Sequence, residues 1–185
     1  MESSLNLSRG DIARGYLHLY TGDGKGKTTA ALGLALRAAG HGLRTYIGQF
    51  MKGRDCGELR ASSLLAPYIT IEQYGKGYFV VNEDPPRDDD VQRAKGGLAQ
   101  AKSALLSGKY DIVVLDEIIN AYTFHLVTLQ EMLELADARP AGVELVFTGR
   151  NAPPALIEKA DLVTEMKEIK HYYRKGVKAR RGIEQ

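Results

Sequence analysis

The stretch that decides the fold reads Tyr16-Leu17-His18-Leu19-Tyr20-Thr21-Gly22-Asp23-Gly24-Lys25-Gly26-Lys27-Thr28-Thr29 and opens into the alanine-rich run 30–39. A short apolar alternation, a glycine loop and a helix-forming run predict strand, loop and helix in that order. Such a loop turns several backbone N–H groups into one concavity at a helix N-terminus. There the partial positive charge of the helix and a lysine together favour a polyphosphate. The chain is therefore expected to hold a nucleoside triphosphate.

The pattern G-x-x-x-x-G-K-[ST] is matched at Gly26-Lys27-Thr28, but the position five before Gly26 is Thr21, and the other glycines fall at 22 and 24. Lys27 is expected along the phosphates, and the Thr28 hydroxyl on Mg²⁺, a hard cation that takes oxygen ligands. The bland alternative, a glycine turn capping an ordinary helix, does not explain a Lys-Thr pair between a strand and a helix. The shifted glycine predicts a loop variant in which the phosphates lie differently from those of common ATPases.

Working outward, a chain of 185 residues with 44% hydrophobic content suffices for one domain with a sizeable core. We expect an N-terminal arm over 1–14 and a single domain over 15–185. The net charge of +2 implies no general attraction to nucleic acid or membrane. The polar N-terminal segment has no apolar run of signal-peptide length, and no later stretch is long enough to span a bilayer. A cytoplasmic protein is expected. The single cysteine, Cys56, excludes an intrachain disulfide and reads as a small buried residue.

Strands are expected at 17–20, 44–50, 69–74, 110–115, 143–148 and 162–166. Helices are expected at 27–39, 58–65, 91–107, 129–138 and 154–159, with a Thr128/Glu131 capping box on the fourth and Gly40 ending the first. This alternation argues for an α/β fold with a mainly parallel six-stranded sheet and helices on both faces. Ligands then collect beyond the carboxyl ends of the strands. Ile112-Val113-Val114-Leu115 runs into Asp116 and Glu117, the acids expected to hold Mg²⁺ directly or through water. The bland reading is an acidic cap for the next segment. Gln49, Lys52 and Arg150 end the second and fifth strands and are expected near the nucleotide. As lone residues, Lys52 and Arg150 would more often be solvated charges.

The third strand leads to Gly75-Lys76-Gly77-Tyr78-Phe79-Val80-Val81, an apolar loop that needs a flat ligand or another subunit. Residues 83–90 carry five acids around Pro85-Pro86 and read as a solvated, mobile loop without chemistry. The tail 167–185 has seven Lys or Arg against two Glu, a net of +5. That charge suits either a nucleic acid or the polyphosphate already inferred.

Taken together, Tyr20 to Ala30, Gln49-Phe50-Met51-Lys52-Gly53, Val114-Leu115-Asp116-Glu117, Ala138-Arg139-Pro140, Thr148-Gly149-Arg150, Ala160-Asp161, Lys170-His171, Gly176-Val177-Lys178-Ala179 and Gly182-Ile183-Glu184 resemble the phosphate-loop ATP:corrinoid adenosyltransferases from about Gly15 onward. The resemblance implies a RecA-like sheet, a homodimer, and transfer of the 5′-deoxyadenosyl group of ATP to Co(I) of a reduced corrinoid. It also implies that a flavoprotein or other reductant supplies the Co(I), that Mg²⁺ or Mn²⁺ attends the nucleotide, and that the nucleotide lies reversed on its loop. By resemblance Gly22, Asp23, Gly24, Lys25, Gly26, Lys27, Thr28 and Thr29 bind the triphosphate. The resemblance also implies that Thr28 and Glu117 attend the metal, Asp116 being expected there from the strand end alone, and Lys27 and Glu117 are the expected catalytic residues. Relatives place a phenylalanine and a tryptophan after the third-strand glycine, against the corrin. This chain has no tryptophan; Tyr78 stands at the phenylalanine position and Val80 at the other, with Phe79 between.

Co(I) is itself a strong nucleophile, so the protein's tasks are to align the 5′ carbon and to stabilise the departing triphosphate. A small-molecule kinase or ATPase would share the loop and the acids but direct attack to the γ-phosphate. A nucleic-acid motor would use the basic tail. Small size and weak net charge count against that motor.

Overall fold

The computed structural model describes residues 12–76 and 85–184. Six strands form one sheet: β1 (Leu17–Thr21), β2 (Thr45–Gln49), β3 (Ile69–Gln73), β4 (Ile112–Asp116), β5 (Glu144–Thr148) and β6 (Leu162–Glu165). Their order is β3-β2-β4-β5-β1-β6, and every pairing is parallel. Helices α1 (Lys27–Ala39), α2 (Gly57–Leu64), α3 (Asp88–Leu106), α4 (Ile118–Thr123), α5 (Leu129–Asp137) and α6 (Pro154–Lys159) connect them, and a 3-10 helix, Tyr172–Lys175, follows β6.

Strands β2 and β4 are buried along their whole length, as expected of central parallel strands covered on both faces. Side chains alternate between two cores. Ile47, Ile112, Val114 and Val146 face α1, whose Ala31, Ala35, Ala38 and Ala39 are small enough to bring that helix down onto the sheet. Val113, Leu115, Leu145 and Phe147 face the other way, with Leu105 of α3, Ile118 and Ile119 of α4, Met132 and Leu135 of α5 and Leu156 of α6. Because strand side chains have period two, any one-residue slip would exchange these cores.

The strand calls agree with the sheet to within two residues at each end. Two of the connections correct the expectations. The acidic stretch before the third helix is not wholly a solvated loop: Asp88, Asp89 and Asp90 form the first turn of α3. Lys76 pairs with Asp89 and lies 3.6 Å from Asp90, which is buried. Three carboxylates at a helix N-terminus meet the positive end of its dipole, so charge alone misled there. Helix α4 was not expected either, because six residues are too few to show a helical period.

The capping box at Thr128 is present, with Thr128 Oγ1 accepting from Glu131 N at 3.2 Å and Thr128 N donating to Glu131 Oε2 at 2.8 Å. Gly40 does end α1, in right-handed conformation, and the left-handed residue is Gly42. Cys56 is buried and free. Arg139 Nη1 donates to Gly15 O at 2.7 Å and Val143 O at 3.1 Å, and Leu17 N donates to Asp161 Oδ2 at 2.8 Å. These two side chains fix the entry of β1 between its neighbours. Among the described residues, no helix is long and apolar enough to cross a membrane.

Candidate active site

Residues 21–29 turn from β1 into α1 at the carboxyl edge of the sheet. Thr21 is still strand, and its Oγ1 accepts from Ala152 N at 3.2 Å. The glycines fall one and three residues later for a packing reason. A Cβ on Gly22 would stand 2.5 Å from Met166 O, and one on Gly24 2.7 Å from the same atom. Gly24 N donates to that oxygen at 2.7 Å, so the chain after β6 lies directly against the loop. Gly26, the residue before α1, has φ 127°, where a side chain would be strained.

Lys27 is buried and donates to Gly22 O at 2.7 Å and Gly24 O at 2.8 Å. Burial pushes its ammonium below the usual lysine range, while the negative charge of Glu117 works against that shift. Thr28 Oγ1 donates to Asp116 Oδ1 at 2.9 Å, and Thr148 Oγ1 donates to the same oxygen at 2.7 Å. Gln49 Nε2 reaches Asp116 Oδ2 at 3.3 Å. Asp116 is 1% exposed; burial drives its carboxyl upward, and the hydroxyls of Thr148 and Thr28 pull it back. It therefore stands behind Thr28 as seen from the loop.

Glu117 follows with φ 62°, a left-handed conformation that a non-glycine residue adopts only where its surroundings impose it. Its N–H donates to Thr148 Oγ1 at 2.9 Å. The carboxyl is pushed up by burial and by the neighbouring charge of Asp116. Lys52 is not a lone solvated charge, whereas Arg150 is exposed, though paired. Lys52 pairs with Glu58, whose Oε1 also accepts from Gln49 Nε2 at 3.2 Å, and Arg150 lies 3.4 Å from Asp23. Burial favours a neutral Glu58, yet the bonds from Lys52 and Gln49 hold its carboxyl down at about 2.

These groups line a cavity of about 650 Å³ that runs from Asp23 and Lys25 past Lys27, Lys52, Glu117 and Arg150 to an apolar wall of Leu32, Leu36, Leu65, Ile69 and Ile71. That volume lies within the ordinary range of small-molecule sites. A neighbouring chamber of about 380 Å³ shares Thr28, Lys52, Glu117 and Arg150 with it and adds Asp116, Phe50, Met51, Asn120 and Phe124. Sequence reasoning missed several residues of these walls. Asn120 acts only through tertiary contacts, as does the fully buried Thr148 behind the walls, and Glu58 carried no pattern. His171, Gly182, Ile183 and Glu184 line the larger cavity from the tail; their ordered spacing was a signal, and Lys25 Nζ donates to Ile183 O at 3.2 Å. Tyr78 and Phe79 lie outside the described residues.

Comparison with known proteins gives this geometry a family. Residues 13–185 match the model of ATP:corrinoid adenosyltransferase BtuR/CobO/CobP. The chain is a member of that family. It is 36% identical over 172 residues to a corrinoid adenosyltransferase of Pseudomonas aeruginosa, covering 92% of this chain and 84% of the relative. It is 34% identical to the corrinoid adenosyltransferase of Escherichia coli K12, over 92% of this chain and 86% of that one. A third, from Sinorhizobium, is 35% identical over 178 residues, covering 92% and 80%. Within the adenosyltransferase family, then, the loop, the buried acids and the tail of this chain belong to one continuous match.

Proposed function

We propose that this adenosyltransferase moves the 5′-deoxyadenosyl group of ATP to the cobalt of a reduced corrinoid and releases triphosphate. The observation that carries the reading is the pairing of a family match over 13–185 with a phosphate-loop cavity that shares Thr28, Lys52, Glu117 and Arg150 with a second chamber. The triphosphate rests on residues 22–29, with Lys25, Lys27 and Arg150 facing its charge and Lys52 at the inner end, while Gln49, buried and lining neither cavity, supports the site from behind through Glu58 and Asp116. Reversed on the loop, the nucleotide directs its ribose toward the chamber of Phe50, Met51 and Phe124. By the family resemblance, Tyr78 and Phe79 meet the corrinoid.

Two electrons of Co(I) form the cobalt–carbon bond as the bond from C5′ to the α-phosphate oxygen breaks, and that electron pair leaves on triphosphate. The protein's contribution is alignment and fixed positive charge where negative charge develops. Thr28, Asp116 and Glu117 present only oxygen, the donor set that suits Mg²⁺. Thr28 with Glu117 would hold the ion, with Asp116 behind Thr28. When bound, Mg²⁺ supplies charge neutralisation on the leaving group. Lys27, released from its two loop carbonyls by the incoming phosphates, supplies a second positive charge.

The reading extends to a cytoplasmic homodimer that draws its Co(I) from a flavoprotein or another reductant. The deciding experiment is phosphorus NMR of a reaction of ATP with chemically reduced cobalamin, followed by the visible spectrum. The expected products are intact triphosphate and a light-sensitive cobalt–carbon species. Corrinoid-independent ADP and orthophosphate would instead make the protein an ATPase or kinase.

A further inference from the structure

Asn120 stands in the first turn of α4 and faces two residues that arrive from different strands. Its Nδ2 donates to Glu117 Oε2, and its Oδ1 accepts from Arg150 N at 2.6 Å. Only one orientation of the amide satisfies both, since a carboxylate can only accept and a backbone N–H can only donate. Each end of this one side chain thus serves a different strand end, β4 through Glu117 and β5 through Arg150.

The surroundings make the arrangement specific. Glu117 is already fixed at its backbone by the bond to Thr148 and by its left-handed φ, which leaves only the carboxylate to be oriented. Gly149 has φ 144°, and a Cβ there would stand 2.7 Å from Ile119 Cβ and 2.8 Å from Asn120 N. Glycine is therefore what lets β5 approach α4 closely enough for Arg150 N to reach the amide. Asn120 also borders the smaller chamber beside Glu117, Arg150 and Phe124.

We infer that Asn120 is a positioning residue, which aims the Glu117 carboxylate at the loop while locking the backbone of Arg150 to the same frame. The inference rests on the adenosyltransferase reading for its kinetic consequence, but not for the coupling itself. A purely structural brace would account for stability alone. Positioning adds a loss of turnover in protein that is fully folded.

The test has two arms. In the first, Tm is measured for N120D, E117Q and E117Q/N120D in the absence of nucleotide and metal. N120D sets two carboxylates against each other and lowers Tm by about 2–4 °C or more. E117Q/N120D recreates a donor facing an acceptor, while the new carboxylate still accepts from Arg150 N, so the double variant regains most of that loss. Additive losses in the double variant would overturn the proposal, since non-interacting positions add. In the second arm, N120A is assayed with ATP and reduced cobalamin after its folded fraction is measured. The expectation is a kcat lowered about tenfold or more per folded molecule, with KM for ATP within about twofold. An unchanged kcat per folded molecule would overturn the positioning role and leave Asn120 a structural brace. Inactive wild-type protein would overturn the adenosyltransferase reading and leave the Tm cycle interpretable.

Discussion

Lys27 keeps a buried ammonium against two carbonyls of its own loop; in the function proposed above, it exchanges these weak dipoles for full phosphate charges when nucleotide enters. Lys27→Ala is accordingly expected to fold, because it removes a desolvated charge along with its two bonds, and to lose about 3 kcal/mol of transition-state stabilisation. A kcat/KM within about tenfold of wild type in steady-state assay would show that Lys27 is not in the reaction. Glu58 offers a different test, through pH. Its carboxyl is held at about 2, well below the ordinary 4.5 of a glutamate, so its folded form binds protons more weakly than the unfolded chain does. The stability it contributes is present above about pH 4.5 and is lost as pH falls toward 2. Melting curves should place wild type above Glu58→Gln at pH 7, with the gap closing across that window. A gap that does not change between pH 4.5 and 2 would remove the ion pair with Lys52 as its cause.

At the scale of elements, the tail after β6 is the part whose role is least like that of a surface extension. Met166 O holds the loop through Gly24 N, and the tail returns to line the cavity at His171 and at residues 182–184. It is braced internally: Tyr172 and Arg180 both bond Glu184, and the Arg180 guanidinium sits 4.8 Å over the Tyr172 ring. Most of its described residues are nonetheless exposed, so it adds little to the core. Removing residues 170–185 should leave Tm within a few degrees and weaken ATP binding about tenfold, a loss of about 1.4 kcal/mol, as read by calorimetry. Unchanged affinity for ATP would assign the tail to another surface, and collapse of the fold would show that it is structural.

At the scale of the whole molecule, β6 is an edge strand exposed along its length, with Leu162 42% and Val163 41% accessible. Among the described residues no strand pairs with its outer side, and an open edge carrying Leu162 and Val163 invites pairing, which agrees with the homodimer proposed above. Light scattering after gel filtration should give about twice the 20.3 kDa of one chain at assay concentration. A fully active species of 20.3 kDa would dismiss the dimer as a requirement for catalysis.

Periodicity and local chemistry were enough to place all six strands, five of the helices, the capping box and the loop with Lys27 and Thr28, because each is written in neighbouring residues. The acids at the end of β4 were legible for the same reason: an apolar run that stops on two carboxylates is a local pattern. What the tertiary structure decided lies between segments far apart in the chain. It sealed Asp116 behind Thr28 and Thr148, paired Lys52 with Glu58, and drew Asn120 between Glu117 and Arg150. It also explained the shifted glycines, which face the backbone at Met166, more than 140 residues away. Local sequence carries the period of an element, but the partner of a buried polar atom is chosen by the packing of elements. Hence this chain's sequence determined the sheet and the phosphate loop, and only the fold determined which side chains orient them.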